Sequence, residues 1–175
     1  WPEIVHNMQN RIGISSGQMV TGNMGSEARM NYTMMGDNVN TAARLESSAK
    51  QYGIYIQIAD STYQAVKEKV VVRDLDNVRV LGKNEPVKVW ELISEVGQEP
   101  SQYKKILPAY HEALDLYKNQ EWSKAIDAFK ASDELEEMFG GRKTNPSRIY
   151  IPRCEHYQEN PPGEDWDGVW TLTSK

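Results

Sequence analysis

Cysteine, histidine and basic charge are all scarce in this chain. Its 175 residues hold one cysteine, Cys154, and three histidines. No disulfide can therefore form within the chain, and no Cys/His spacing suits a zinc site. Lysine and arginine number 20 against 25 aspartates and glutamates, a formal charge of −5. A protein that lives on nucleic acid or anionic lipid normally carries the opposite balance, so no nucleic-acid partner is expected. No run approaches the ~18 apolar residues that span a bilayer, and no charged-then-apolar leader opens the chain. The remainder suits a folded domain, because 39% hydrophobic and 26% charged residues provide both a core and a solvated surface. The unpaired cysteine points to a reducing, cytoplasmic setting.

The chain opens Trp1-Pro2-Glu3-Ile4 without a methionine, and a strand pattern begins by Arg11. The expectation is a cut inside a domain. Residues 1–97 are nearly neutral, with 10 basic and 11 acidic residues, whereas residues 98–175 hold 10 and 14. The junction Val96-Gly97-Gln98-Glu99-Pro100-Ser101 reads as a linker or turn, and the boundary is placed there. In the first part, Arg11 to Ser16 reads as a strand ending at Gly17. Gln18 to Thr21 reads as a second short strand, and a polar excursion through Gly22 and Gly25 follows. Asp37 is the expected N-cap of a helix that Tyr52-Gly53 stops. Ile54 to Ala59 is a β-branched run, and Tyr63 to Glu68 a short helix capped by Asp60-Ser61. Val70–Arg73, Asn77–Val80 and Val87–Ile93 read as strands, the last two joined by a turn at Gly82 to Pro86. The sum is α+β, with helices on a mostly antiparallel sheet.

The second part changes period. Tyr103, Ile106, Leu107, Tyr110, Leu114 and Tyr117 share one helical face, and Trp122, Ala125, Ile126 and Phe129 share another after a break at Asn119 to Glu121. The Trp122 and Ala125-x-x-x-Phe129 pattern resembles one tetratricopeptide unit. A third helix is expected from about Pro146 to Gln158.

The chemistry concentrates between Arg29 and Glu46. On a helical wheel, Val39, Ala42, Ala43, Leu45 and Ala49 share one face, while Asn40 and Arg44 point the other way, one turn apart. An amide beside a guanidinium is a donor pair for a phosphoryl group or another oxyanion, and equally a plain solvated helix face. The ordered string Arg11-Ile12-Gly13-Ile14, Ser16-Gly17, Gly22-Asn23-Met24-Gly25, then Tyr32-Thr33-x-x-Gly36-Asp37-x-Val39-Asn40-x-Ala42-Ala43-Arg44-Leu45-Glu46 resembles the C-terminal half of a class III nucleotidyl cyclase catalytic domain, over roughly residues 8–93. The later helices and Trp166-Asp167-Gly168-Val169-Trp170 resemble the tail of bacterial adenylate cyclases that carry a sensor, membrane helices, a cyclase domain and tetratricopeptide-like helices. The fold implied is a partial, ferredoxin-like cyclase layer (residues 1–97) followed by a small tetratricopeptide-like helical tail (98–175).

That resemblance implies conversion of ATP to cyclic AMP and pyrophosphate, in sites shared across a head-to-tail homodimer. It assigns Asn40 to orienting the ribose, Arg44 to the charge developing on the α-phosphate, Thr33 to the purine edge, and Arg11 to the phosphates. A solvent-facing strand residue is the plainer reading of Arg11. The family often shows Val-Lys-Gly-Lys where this chain has Val80-Leu81-Gly82-Lys83. Leu81 cannot make the phosphate contact, so Lys83 either stands in or is a solvated loop lysine. The family holds Mg²⁺ or Mn²⁺ on two aspartates in its N-terminal half, where the lysine that reads adenine also lies. None of these is identifiable here, and Asp37 reads as a helix cap instead. The expectation is a chain inactive alone, its metal ligands lying before Trp1 together with any membrane anchor of the parent protein. The alternative is an inactive cyclase-like module for dimerisation and protein interaction. The tail either braces the sheet or presents a groove to a protein partner.

Overall fold

The structure, a computed structural model, describes residues 2–6, 8–78, 87–136, 142–163 and 165–170. A one-turn helix, α1 (Glu3–His6), precedes β1 (Ile12–Ile14), β2 (Val20–Ser26), β3 (Arg29–Met35), α2 (Asp37–Tyr52), β4 (Ile56–Ala59), α3 (Asp60–Val66), β5 (Val70–Val78) and β6 (Val87–Glu95). The tail contributes α4 (Tyr103–Lys118), α5 (Trp122–Leu135) and α6 (Pro146–Glu159). Strands β1, β4, β6 and β5 form one sheet in that order, with β1 parallel to β4 and the other pairs antiparallel. The α+β class expected from the sequence is the class observed.

Three expectations are corrected. The polar excursion after Thr21 continues the second short strand, as β2 to Ser26, and returns as β3. β2 and β3 pair antiparallel from Val20↔Met35 to Ser26↔Arg29 and make a separate two-stranded sheet. Glycines inside β2 mask the strand pattern, and the cross-strand ladder supplies what propensity lacks. The two short strands expected at 70–73 and 77–80 are one strand, β5, whose register shifts between Val71 and Val72 and between Asp74 and Asp76. Bulges of this kind bend a strand without ending it. Helix α3 starts at Asp60 and ends at Val66, so Asp60 lies inside the helix and not before it; its Oδ1 accepts from the Trp90 indole at 3.0 Å. The turn expected at Gly82 to Pro86, with Leu81 and Lys83, lies outside the described residues.

Directly opposed residues share a face of the sheet. Gly13, Gln57, Glu91 and Arg73 therefore form one row across all four strands. Over the Gly13 and Gln57 end lies α2, whose Ser48 hydroxyl donates to Gln57 Oε1 at 3.1 Å. Over the Glu91 and Arg73 end lies the tail. Helix α2 and the tail are thus one layer on one face, and Ile149 of α6 packs into the core formed by Leu45, Ala49, Tyr52, Ile54, Leu75 and Val89. The opposite face carries Trp90 against Tyr63 of α3, with ring centroids 4.2 Å apart. The tail has an aromatic core of its own, built on Tyr110, Tyr117, Phe129 and Tyr150, with Trp122, Trp166 and Trp170 packed against it. Helix α6 starts as its sequence directs. Pro146 occupies its first turn, and the Asn145 side chain accepts from the Arg148 amide at 3.1 Å.

The tail is bonded to the sheet by buried charge. The Arg73 guanidinium, wholly buried, donates to Glu136 through both terminal nitrogens at 2.9 Å and to Glu91 through Nε at 2.7 Å. Arg142 closes the set with bonds to Glu91 at 3.1 Å and Glu136 at 3.4 Å. Two arginines and two glutamates cancel. Burial alone would push Arg73 toward losing its proton, but Glu91 and Glu136 more than offset this and hold it charged. Among the described residues no helix is long and apolar enough to cross a membrane. Removing one member of such a cluster leaves an uncompensated buried charge, so Glu136→Ala is expected to lower unfolding free energy by about 3–5 kcal/mol. In urea denaturation the exposed Lys124→Ala serves as the control and stays within about 0.5 kcal/mol of wild type.

Candidate active site

Helix α2 carries the candidate donors, and its position follows from glycine. Gly13 lies directly beneath it. A Cβ there would stand 2.1 Å from the Ala42 carbonyl oxygen and 2.4 Å from the Glu46 nitrogen, so only glycine lets helix and strand backbones approach this closely. Gly36 takes the position before the helix at φ 151°, ψ 164°, a region essentially reserved for glycine. Gly36, not Asp37, therefore holds the cap position, and Asp37 is the first helical residue. Its charge still favours the helix N-terminus. The buried row of α2 is Thr41, Leu45, Ala49 and Tyr52. Ala43, expected inward, is exposed. Thr41 takes a place in the row because its hydroxyl is satisfied by the Asp37 carbonyl at 2.8 Å.

Asn40 and Arg44 are both exposed and lie one turn apart on the outward face. This part of the wheel reading is what the structure shows. The first turn beside them is latched by Asn38, a residue the sequence reading passed over. Its Oδ1 accepts from the Ser15 hydroxyl at 3.2 Å, and its Nδ2 donates to the Gln18 carbonyl at 3.2 Å. An amide two residues into a helix, facing a Ser-Ser-Gly turn, was the available signal. Ser16 extends the latch to Thr62 of α3 at 3.0 Å.

The other candidates are dispersed. Arg11 sits just before β1, and its Nε lies 3.3 Å from Glu46 Oε1, with both side chains about 42% exposed. An exposed pair of this kind is worth only about 0–1 kcal/mol and yields readily to a competing anion. Thr33 is exposed on β3, opposite Gly22 in the hairpin. Lys83 lies outside the described residues. Among the described residues no group of three or more His, Cys, Asp or Glu side chains could hold a metal ion. Among the described residues the exposed large apolar side chains, Val96 and Leu135 excepted, all fall between residues 5 and 35. Tyr32 is the extreme case at 74% exposure.

The helix set on its strand through Gly13, with Asn40 and Arg44 one turn apart and a β-hairpin before it, carries the string that resembles a class III nucleotidyl cyclase. The chain belongs to that family, since the model of the adenylate and guanylate cyclase catalytic domain matches residues 3–94. It is 34% identical over 152 residues to the terminal-differentiation specific adenylate cyclase of Dictyostelium discoideum, covering 85% of this chain and 7% of that protein. It is 33% identical over 88 residues to adenylate cyclase 1 of Rhizobium meliloti, covering 50% of this chain and 13% of that one. Among solved structures, the adenylyl cyclase CyaB of P. aeruginosa is 32% identical with a TM-score of 0.44, over 51% of this chain and 45% of that one. The chain thus spans only a small part of these curated relatives.

The glycine beneath α2 gives a direct test. Gly13→Ala should cost about 1–3 kcal/mol in urea unfolding as α2 is forced off β1. Gly22→Ala, where an added Cβ meets nothing within 4 Å, should stay within about 0.5 kcal/mol.

Proposed function

We propose that this chain is part of an adenylate cyclase that converts ATP to cyclic AMP and pyrophosphate on the cytoplasmic side. Residues 1–97 then form the back half of the catalytic domain, and residues 98–175 a tetratricopeptide-like helical tail. The observation that carries the reading is the Asn40 and Arg44 pair, exposed side by side on a helix latched at its first turn and resting on β1. In the reaction the ribose 3′-oxygen attacks the α-phosphorus, and the bond to pyrophosphate breaks. Arg44 donates to the α-phosphate oxygens as their charge grows, and Asn40 holds the ribose so that its oxygen is aimed at phosphorus. Thr33 reads the purine edge through its hydroxyl. Arg11, released from Glu46, and Lys83 take the terminal phosphates.

The exposed apolar side chains of residues 5–35 support a homodimer with shared sites, since a surface of this kind needs a cover. The same observation favours the second reading, an inactive dimerisation and interaction module. Turnover separates the two. The full-length protein carrying this chain, assayed with ATP and Mg²⁺ or Mn²⁺, is expected to form cyclic AMP. Arg44→Ala should lower kcat by about 10²-fold or more, the usual cost of a lost transition-state donor, and a near-normal rate would remove Arg44 from the mechanism. ATP should be preferred over GTP, and Thr33→Ala should narrow that preference, as read from the ratio of the two kcat/KM values. No turnover by the wild-type protein selects the module.

A further inference from the structure

Nothing in the reaction proposed above uses the helical tail, yet the tail is built into the end of the helix that carries Asn40 and Arg44. Arg153 of α6 and Tyr52 in the last turn of α2 both donate to the same oxygen, Oδ2 of Asp76 on β5, each at 2.6 Å. Asp76 and Tyr52 are buried. The other carboxylate oxygen accepts from the Asn77 amide at 2.8 Å, so the aspartate is fixed to its strand. The Arg153 guanidinium is stacked on Tyr150, 5.0 Å from the ring centre, and on Trp170 at 5.3 Å. Immediately after α2, Gly53 meets the segment before α6 so closely that a Cβ would stand 1.9 Å from the Thr144 carbonyl oxygen.

We propose that Arg153 is a positioning residue: through Asp76 and Tyr52, the tail sets how α2 presents Asn40 and Arg44. This rests on the cyclase reading of those two residues. Helix α2 is held at its first turn by Asn38 and beneath its middle by Gly13, and in its last turn Tyr52 joins it to Asp76 of β5 and, through that carboxylate, to Arg153 of the tail. Arg44 stands eight residues from Tyr52, about 12 Å along the axis, and a misplacement of about 1 Å in such a donor costs a reaction up to about 10²-fold. The match to the Dictyostelium protein is independent support. At 152 residues it is too long for residues 3–94 and runs well into the tail, so the tail accompanies the catalytic half in that protein too.

The test compares Arg153→Ala with Arg148→Ala, whose guanidinium pairs with Asp133 inside the tail, both in the full-length protein. Amide hydrogen exchange over residues 37–52, followed by mass spectrometry, reads the joint independently of activity. Arg153→Ala is expected to speed α2 exchange by about fivefold or more, and Arg148→Ala to leave it unchanged. Turnover reads the consequence: kcat should fall about fivefold or more while KM for ATP stays within about twofold, the pattern of a loosened transition-state contact. Arg153→Lys, which keeps a cation on Asp76, should restore most of the rate. In an Arg44→Ala background, Arg153→Ala should cost nothing more, because the two act as one unit. Should Arg153→Ala not fold, Tyr52→Phe, which removes only the hydroxyl bond, is read in the same way. Unchanged α2 exchange overturns the proposal, and so does unchanged kcat in an active protein. A wild-type protein that makes no cyclic AMP overturns the cyclase reading instead, and the exchange measurement still decides the joint.

Discussion

Helix α2 rests main chain against main chain on β1, with no side chain between them at Gly13, and the candidate site depends on that contact. Where side chains separate a helix from a sheet, repacking can shift the helix by a fraction of an ångström. Here the carbonyl of Ala42 and the amide of Glu46 bear directly on the strand, and these positions flank Arg44. The height of the Arg44 backbone above the sheet is therefore set by main-chain contact. The Asn38 latch adds the missing constraint at the N-terminal end, tying the first turn to the loop after β1.

The same face of the sheet explains why the tail belongs with the site. Beyond Gly13 the row continues through Gln57, Glu91 and Arg73, all polar, and buried polar side chains beneath a helical layer call for partners from above. Ser48 of α2 donates to Gln57 Oε1, and Glu136 and Arg142 pair with Arg73 and Glu91. The tail completes a layer that α2 covers only in part. His111 of α4 takes part as well, with its Nε2 accepting from the Asp74 amide at 3.3 Å. Burial lowers its proton affinity, in keeping with a neutral ring at that acceptor.

Sequence patterns were informative where one period dominated. The α2 limits, the outward Asn40 and Arg44, and the aromatic stripes of α4 and α5 all follow from helical spacing, and the ordered motifs pointed to the family. The hairpin was hidden because neither β2 nor β3 has a buried face, so no alternation marks them. Ala43 is expected inward because alanine reads as apolar, whereas the buried row runs through Thr41, whose hydroxyl its own helix satisfies. Arg73, Glu91 and Glu136 went unread because a charge within a strand or helix suggests solvent. The contrary signal is local, since Arg73 follows three valines and Glu91 sits between Trp90 and Leu92, inside runs that are otherwise apolar. The partners Glu136 and Arg142 lie far along the chain, and only folding brings them together.

The four cancelling charges also constrain how such a chain can change over generations. A single replacement at Arg73 or Glu91 strands a charge that belongs to Glu136 or Arg142, and the reverse holds equally. Tolerated changes must then come as matched exchanges, one partner in the sheet and one beyond Gly97. Descendants would inherit the two segments as a pair, and correlated substitution between them would be the trace left in their sequences.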